Sequence, residues 1–324
     1  MGQSNVTHPG TAGDTNTPQN AKGSQAMSEQ SIEGAPLRAG PSPSVDYDLG
    51  LPPAMLQARP GWFDDITWHR CAERVLSDNA IATLEYMDLI EGHVCAGYLH
   101  LALASPTVRA TTERTDFAAG WGVQENWHGI ALHRFLDSYR GIAVSTRARQ
   151  QDERRARLSF GGRHAHLVVG AAGSIARDLY PAVYACLGYR NEVMTLRGYG
   201  SLLSKVNVPE PHPVLDPLLR HLMADEGHHA RFYRKIAAAY LESSLRARRA
   251  ARITMNRWWG IVGENFAGSE GADRVILYLF RDERDRDLVD KVDAQVASLP
   301  GLKGVKPMRR RFEQALRNSK NAAV

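Results

Sequence analysis

Two short strings of the sequence contain the same pair of side chains that can bind metal. QENWHG, at 124–129, and DEGHHA, at 225–230, each hold a glutamate followed three residues later by a histidine. At this spacing on a helix, both side chains leave the same face one turn apart, so a carboxylate and an imidazole can reach one ion or two adjacent ions. The pairs are Glu125 with His128 and Glu226 with His229.

A further glutamate precedes each pair at the same distance. Glu91 lies 34 residues before Glu125, and Glu192 lies 34 residues before Glu226, so the two halves are offset by 101 positions. The sequence therefore contains an internal repeat of glutamate followed by Glu-x-x-His. Glu85 lies on the same segment as Glu91, but helical phase and the repeat both favour Glu91 as the ligand.

Four glutamates and two histidines suit a pair of iron ions. Two ions a few ångströms apart need bridging carboxylates to offset their charge, one nitrogen ligand each, and open positions where O₂ can bind. This ligand set is a known pattern in ferritin-like di-iron and di-manganese bundles. A hydrolytic zinc site would use fewer carboxylates, often in a helical HExxH motif, which the sequence lacks. We expect iron, with manganese as the alternative.

The segments that must position these residues show helical periodicity. Period-two runs rich in Val, Ile and Thr are nearly absent, which predicts an all-α fold. Each of four apolar stripes contains one of the four glutamates. The stripes are Leu84, Met87, Glu91, Val94, Tyr98 and Leu101; Phe117, Trp121, Glu125, His128, Leu132 and Phe135; Ala185, Tyr189, Glu192, Leu196, Tyr199 and Leu203; and Leu222, Glu226, His229, Phe232 and Ile236. Converging core carboxylates imply a cation between them.

Residues around the expected ligands have two interpretations. Asp225 can accept a hydrogen bond from a ligand imidazole or be an exposed helix charge. The remaining histidines near the motifs are expected at the surface or beside the ligands, and they are His93, His100, His133, His221 and His228. The fourth helix is predicted to open with Asp216 as its N-cap and Pro217 as its first residue.

Composition sets the domain organisation. Residues 1–45 are rich in Ser, Thr, Asn, Gly and Pro and predict a disordered tail, whereas 46–324 predict one helical domain. No apolar run approaches the roughly 20 residues that cross a bilayer. No secretory or transit signal is visible, and Cys71, Cys95 and Cys186 are too scattered for a disulfide framework. We expect a soluble protein of the cytoplasm.

Positive charge is concentrated in three places. The net charge is +5, and the clusters are 147–157, Arg246–Arg257 and Lys303–Arg317, the last including Arg309, Arg310 and Arg311. Each cluster is either a solvated helix face or a docking surface for an acidic protein partner. Nucleic acid is not expected, because the sequence has no zinc-finger spacing, RNP string or GXXG loop.

Over roughly residues 60–240 the sequence resembles the soluble acyl-[acyl-carrier-protein] desaturases, the stearoyl-ACP Δ9-desaturase family. The family motifs I-T-E-E, W-T-A-E-E-N-x-H-G, F-Q-E-R-A-T and A-D-E-x-R-H correspond here to LIEG at 89–92, WGVQENWHG at 121–129, RNEVMT at 190–195 and ADEGHH at 224–229. The segment 170–192 also resembles the family's loop into its third ligand helix.

The resemblance implies a ferritin-like bundle with four metal-bearing helices, flanking helices and a homodimer. It implies that the iron ligands are Glu91, Glu125, His128, Glu192, Glu226 and His229, and that Thr195 is a catalytic threonine that assists proton delivery near the oxygen site. The implied reaction is O₂-dependent formation of a cis double bond in an acyl chain on acyl carrier protein, with electrons from a ferredoxin-type donor. The basic clusters would then receive the carrier protein, and Trp121, Met194 and Tyr199 would line the substrate channel or pack the core.

The chain departs from the family pattern without losing a ligand. Gly92 and Gln124 stand where the family has acidic residues, and His228 stands where it has arginine. These changes leave open a hydroxylase or N-oxygenase that acts on a carrier-bound or free intermediate of a specialised pathway. An alternative from another class is a ferritin-like iron-binding or peroxide-scavenging protein with no organic substrate.

Overall fold

A computed structural model of the protein describes residues 58–91, 112–141, 179–257, 260–261 and 263–321. All of them belong to one compact unit, Tyr47–Val324. Within these ranges the chain is mostly helical and forms no strand, which confirms the predicted all-α fold. The predicted tail at 1–45, the basic cluster at 147–157, and the stripe residues Val94, Tyr98 and Leu101 lie outside the described residues.

Nine helices occur in the described part of the chain. They are α1 (Trp62–Asp65), α2 (Asp78–Leu89), α3 (Thr112–Arg140), α4 (Leu179–Val206), α5 (Leu215–Ser243), α6 (Leu245–Arg257), α7 (Glu264–Phe280), α8 (Glu283–Ala297) and α9 (Pro307–Asn321). A 3-10 turn, Trp68–Arg70, follows α1. None of these helices has both the length and the apolar character needed to cross a membrane.

The helices that carry the expected ligands pack on one another, and the others flank them. α2 packs on α3, α4 packs on α5, and α3 also contacts α5. α6 packs on α4 and α5, α7 on α2 and α4, and α9 on α7 and α8. The predicted apolar stripes point inward, since Leu84, Leu132, Tyr199 and Leu222 are fully buried. Burial of these stripes is the main stabilising contribution that holds the four helices together.

α4 and α5 approach closely where Gly188 faces Tyr233. A Cβ atom at Gly188 would lie 2.6 Å from the Tyr233 ring, so the ring can rest on the α4 backbone only because the residue there is glycine. Gly188 lies one turn before Glu192, and Tyr233 lies one turn after His229. The close approach therefore brings the two helices together beside the expected ligands.

α2 changes its winding immediately before the first expected ligand. The hydroxyl of Ser77 caps the start of this helix by accepting the N–H of Ala80 at 3.2 Å. At the other end, Ile90 and Glu91 form a π turn. Such turns are rare and occur frequently at functional sites. Glu91 is buried in this turn, at 3% exposure.

α5 begins at Leu215, two residues before the predicted first residue Pro217, and its N-cap is Val214 instead of Asp216. The Nδ1 atom of the buried His212 accepts the backbone N–H groups of Val214 and Leu215, each at 3.2 Å. Burial, together with the nearby Arg74 cation, lowers the pKa of His212 to about 4. The imidazole must be neutral to accept these bonds, so the low pKa and the capping role agree.

The arginines at the start of α9 make contacts within the protein. Arg311 is 2% exposed and donates to Asp273 and to Glu264, the latter at 3.0 Å, both on α7. Arg309 forms an ion pair with α8, and Arg310 donates to a backbone carbonyl of α6. The interpretation of this cluster as an exposed docking surface is therefore wrong for Arg311, which instead joins α9 to α7.

We expect the protein to lose stability as the pH falls from about 6.5 to about 4, in part because of His212. The unfolded chain takes up a proton near the ordinary pKa of 6.5, whereas the folded imidazole stays neutral down to about 4. The contribution of His212 is thus complete above the upper value and decreases below it, by on the order of 2 kcal/mol.

Urea unfolding at several pH values measures this loss, with His212→Asn as the comparison. The asparagine Oδ1 can still accept the two N–H groups but does not titrate. The other titratable groups are common to both proteins. The free energy of unfolding of the variant should therefore fall less between about pH 6.5 and about pH 4. An identical pH dependence in the two proteins would contradict the assignment to His212.

Candidate metal centre

Six buried side chains from the four central helices converge on one point. They are Glu91 at the end of α2, Glu125 and His128 on α3, Glu192 on α4, and Glu226 and His229 on α5. They form two overlapping groups whose potential ligand atoms all lie within 4.8 Å of one another. One group is Glu91, Glu125, His128 and Glu226, and the other is Glu125, Glu192, Glu226 and His229. The described residues thus contain two adjacent sites of metal-binding dimensions.

Two of the glutamates occupy bridging positions. Nδ1 of His128 lies 3.4 Å from Glu125 and 3.3 Å from Glu226, and Nδ1 of His229 lies 3.1 Å and 3.5 Å from the same two carboxylates. Glu91 lies near His128 at 4.0 Å, and Glu192 lies near His229 at 3.8 Å. Two shared carboxylates, with one imidazole and one further carboxylate on each side, can hold two ions.

Several atoms that face the centre have no hydrogen-bond partner. They are Oε2 of Glu125, both carboxylate oxygens of Glu226, and Nδ1 of His128 and of His229. Leaving buried polar atoms unpaired costs free energy, and native proteins pair nearly all of them. Two divalent cations would satisfy these atoms, and their combined charge equals that of the four carboxylates when all are ionised. The residues present therefore fit a two-metal centre.

The outer side of each imidazole makes a hydrogen bond to the other Glu-x-x-His helix. The acceptor is the residue immediately before the glutamate of that helix. Nε2 of His128 lies 3.1 Å from Oδ2 of Asp225, and Nε2 of His229 lies 2.9 Å from Oε1 of Gln124. These contacts leave Nδ1 facing the centre, as ligand imidazoles require. Of the two interpretations of Asp225, the structure supports the hydrogen bond to an imidazole over the exposed helix charge. The matching role of Gln124 was not predicted, although Gln124 and Asp225 obey the same offset of 101.

The two outer carboxylates are each held by a donor on another helix. The hydroxyl of Tyr199 donates to Glu91 at 2.7 Å, and the indole N–H of Trp121 donates to Glu192 at 3.2 Å. Both aromatic residues were candidates for a substrate channel. Their polar atoms instead fix the orientation of Glu91 and Glu192.

The cluster retains protons when no cation lies between its members. Burial, with repulsion from Glu125 and Glu226, raises the pKa of Glu91 and of Glu192. Burial opposes ionisation of Glu125 as well, but the adjacent Glu91 carboxyl and the two imidazoles hold the pKa of Glu125 well below its usual range. The pKa of His128 and that of His229 are raised by carboxylates despite burial. Metal must displace these protons, so metal binding weakens at low pH.

Two cavities adjoin the centre and meet at three residues. A cavity with about 370 Å³ of empty space, part of it open to solvent, is lined by the four glutamates together with Trp121 and Tyr233. A largely apolar cavity with about 470 Å³ of empty space, also partly open to solvent, lies among α2, α4 and α7, where Met87, Met194 and Leu279 line it. Ile90, Glu91 and Thr195 line both. An apolar cavity therefore lies beside the carboxylates, and Thr195 belongs to the boundary between that cavity and the centre.

The structure brings all six expected ligands together and places Thr195 beside them. His133 instead contacts Asp88 at 2.7 Å, and His228 is exposed, whereas His93 and His100 lie outside the described residues. That the six residues hold metal stays a prediction. Comparisons of the chain with protein-family models, with curated proteins and with solved structures give no match.

We expect the protein to bind two divalent ions per chain and to unfold at a higher temperature with metal than without it, because the ions bind only the folded cluster. Elemental analysis and thermal unfolding measure these quantities. Glu226→Ala, which removes a bridging carboxylate, should release both ions, and His229→Ala should leave one or none. His228→Ala changes an exposed neighbour and should retain two. Two ions retained in both ligand variants would contradict the assignment.

Proposed function

We propose that the protein is an O₂-dependent desaturase that uses two iron ions, held in a ferritin-like bundle, to introduce a cis double bond into an acyl chain carried on acyl carrier protein. The observation that carries the proposal is the apolar cavity beside the carboxylate and histidine cluster, which shares Ile90, Glu91 and Thr195 with the cavity that the four glutamates line. The four motifs that resemble the acyl-ACP desaturases support it. By the same resemblance the protein is a homodimer.

The donor set suits iron, with manganese as the alternative metal. Glu125 and Glu226 would bridge the ions, Glu91 and Glu192 would each bind one, and His128 and His229 would supply one nitrogen each. A bound iron pair supplies the redox chemistry with O₂ that organic side chains lack. The protein contributes the positions of the ligands, the orientation of the imidazoles and the exclusion of water.

The electron count requires a separate donor. Reduction of O₂ to two waters takes four electrons and four protons. Loss of two hydrogens from adjacent carbons supplies two of each, so the remaining two electrons come from a ferredoxin-type protein and the remaining two protons from solvent. The hydroxyl of Thr195 lies at the junction of the two cavities, where it can hold a proton and pass it toward the centre.

The larger cavity favours an organic substrate over iron storage or peroxide removal. Its lining from Met87, Met194, Ile276, Leu279 and Phe280 is apolar. An alkyl chain buried there gains about 0.8 kcal/mol for each CH₂ group removed from water. A chain that extends past Ile90 to Thr195 would bring its carbons beside the carboxylate cluster. An iron store would need no such cavity.

Helix α6 is the proposed docking surface for the acidic carrier. It contains five arginines and no acidic residue. Arg246, Arg249 and Arg257 are exposed, and Arg248 and Arg252 donate to backbone carbonyls. Within the described ranges, none of the five forms an ion pair. α6 also packs on α4 and α5, which carry three of the expected ligands, so a carrier bound there would lie against the bundle that holds the centre.

Incubation with acyl carrier proteins of different chain lengths, ferredoxin, its reductase, NADPH and O₂ tests the reaction. We expect the acyl chain to lose about 2 mass units, because two hydrogens leave and no oxygen is inserted. His228→Ala should be active, and Glu226→Ala should be inactive. A gain of about 16 mass units would instead establish the hydroxylase or N-oxygenase. Peroxide consumption with an unchanged acyl mass would contradict both.

We expect the double variant Arg246→Glu and Arg249→Glu to bind the acyl carrier protein at least tenfold more weakly at low salt, and this difference should shrink as salt screens the charges. Fluorescence anisotropy with labelled carrier measures the affinity. Lys291→Glu, an exposed charge reversal on α8, is the matched control and should bind like the unmodified protein. Equal affinity in the double variant would exclude α6 as the docking surface and leave the metal centre unaffected.

A further inference from the structure

The centre is nearly symmetrical in the residues that face it. We call Glu91 with His128 the His128 half and Glu192 with His229 the His229 half. Both halves share the bridging Glu125 and Glu226. Each offers one imidazole Nδ1 and one outer carboxylate, and each outer carboxylate accepts a hydrogen bond from a neutral side chain, Glu91 from Tyr199 and Glu192 from Trp121. On these residues alone, the two halves would bind metal about equally.

The symmetry ends at the hydrogen bonds that the imidazoles make outside the centre. The His128 ring is bound to Asp225, whose carboxylate side chain is 21% exposed. The His229 ring is bound to Gln124, a neutral amide that is exposed to solvent. The two acceptors occupy equivalent positions of the 101-residue repeat, so the difference between them is a difference of one charge at otherwise matching places.

A charged hydrogen-bond acceptor makes an imidazole a stronger metal ligand than a neutral acceptor does. An imidazole that binds metal through Nδ1 keeps its proton on Nε2 and donates it outward. A carboxylate acceptor draws on that proton, makes Nδ1 a stronger electron-pair donor, and adds negative charge near the ion. An amide does both to a smaller extent. The donors on the outer carboxylates do not offset this difference, because Tyr199 and Trp121 are both neutral.

We propose that the two halves bind metal with unequal affinity, the His128 half taking the first ion and the His229 half the second, because Asp225 supports one imidazole and only Gln124 supports the other. The inference rests on the two-metal centre proposed above. Loss of such an outer partner typically changes metal affinity by about 10- to 100-fold, which is the ratio expected between the two halves. Gln124 is therefore a positioning residue that sets the occupancy of the second site.

Titration of metal-free protein with Mn²⁺ alone tests this. Calorimetry measures the two binding steps, and EPR distinguishes a single Mn²⁺ from a coupled pair. We expect the steps to differ by about 10- to 100-fold beyond the statistical factor for two identical sites. Gln124→Glu should tighten the second step by a similar factor and leave the first unchanged, whereas Asp225→Asn should weaken the first. Gln314→Glu and Asp287→Asn, exposed on α9 and α8, are matched controls that should change neither.

The outcomes separate this inference from the proposed centre. Two ions of equal affinity, or a second step that Gln124→Glu does not tighten, would overturn the inequality and keep the centre. No bound Mn²⁺ would remove the centre itself and the inference with it. Gln124 is exposed, so its variant should fold, and circular dichroism checks this for both variants.

Discussion

Four glutamates buried around one point need positive charge between them, and this requirement governs the centre of the protein. The chain meets the same problem in a different way at its C-terminal end. There the guanidinium of Arg311 donates to both Asp273 and Glu264, so a cation of the chain itself lies between the two carboxylates. At the centre, Oε2 of Glu125 and both carboxylate oxygens of Glu226 lack a hydrogen-bond partner. The contrast agrees with our interpretation that the C-terminal cluster takes its cation from the chain, whereas the central cluster would take metal ions.

The repeat of 101 residues is reproduced in space by the expected ligands but not by all of the residues around them. Gly188 and Tyr233 lie in close contact on α4 and α5, and the equivalent positions on α2 and α3 are Met87 and Leu132. Met87 lines the larger cavity, whereas Gly188 lines the smaller one. The symmetrical set of expected ligands thus lies in asymmetrical surroundings, with the apolar cavity on the side where Thr195 is found. In the proposed reaction, the acyl chain would approach the centre from that side.

The sequence predicted what depends on residue type and on spacing within one helix. Helical periodicity indicated the all-α fold, and the repeat singled out the six residues that the structure brings together. What it did not predict depends on partners far away in the chain. The burial of Arg311 depends on α7, the capping by His212 depends on the turn before α5, and the bond from His229 to Gln124 joins helices about a hundred residues apart. Of these three features, only the role of Gln124 could have been predicted from the sequence. Gln124 lies 101 residues before Asp225, which is the offset that also relates the expected ligands.

The direction of the Glu91 side chain depends on the number of residues in α2 and in the π turn at Ile90 and Glu91. A π turn contains one residue more than an α turn, and each residue of an α-helix rotates the next side chain by about 100°. Deleting one residue between Ser77 and Glu91 would rotate the carboxylate by about 100°, away from the other three helices. Natural variation in chain length should therefore be accommodated in the connections between helices and excluded from this stretch. In an alignment of related chains, the stretch from Ser77 to Glu91 should contain no insertion or deletion.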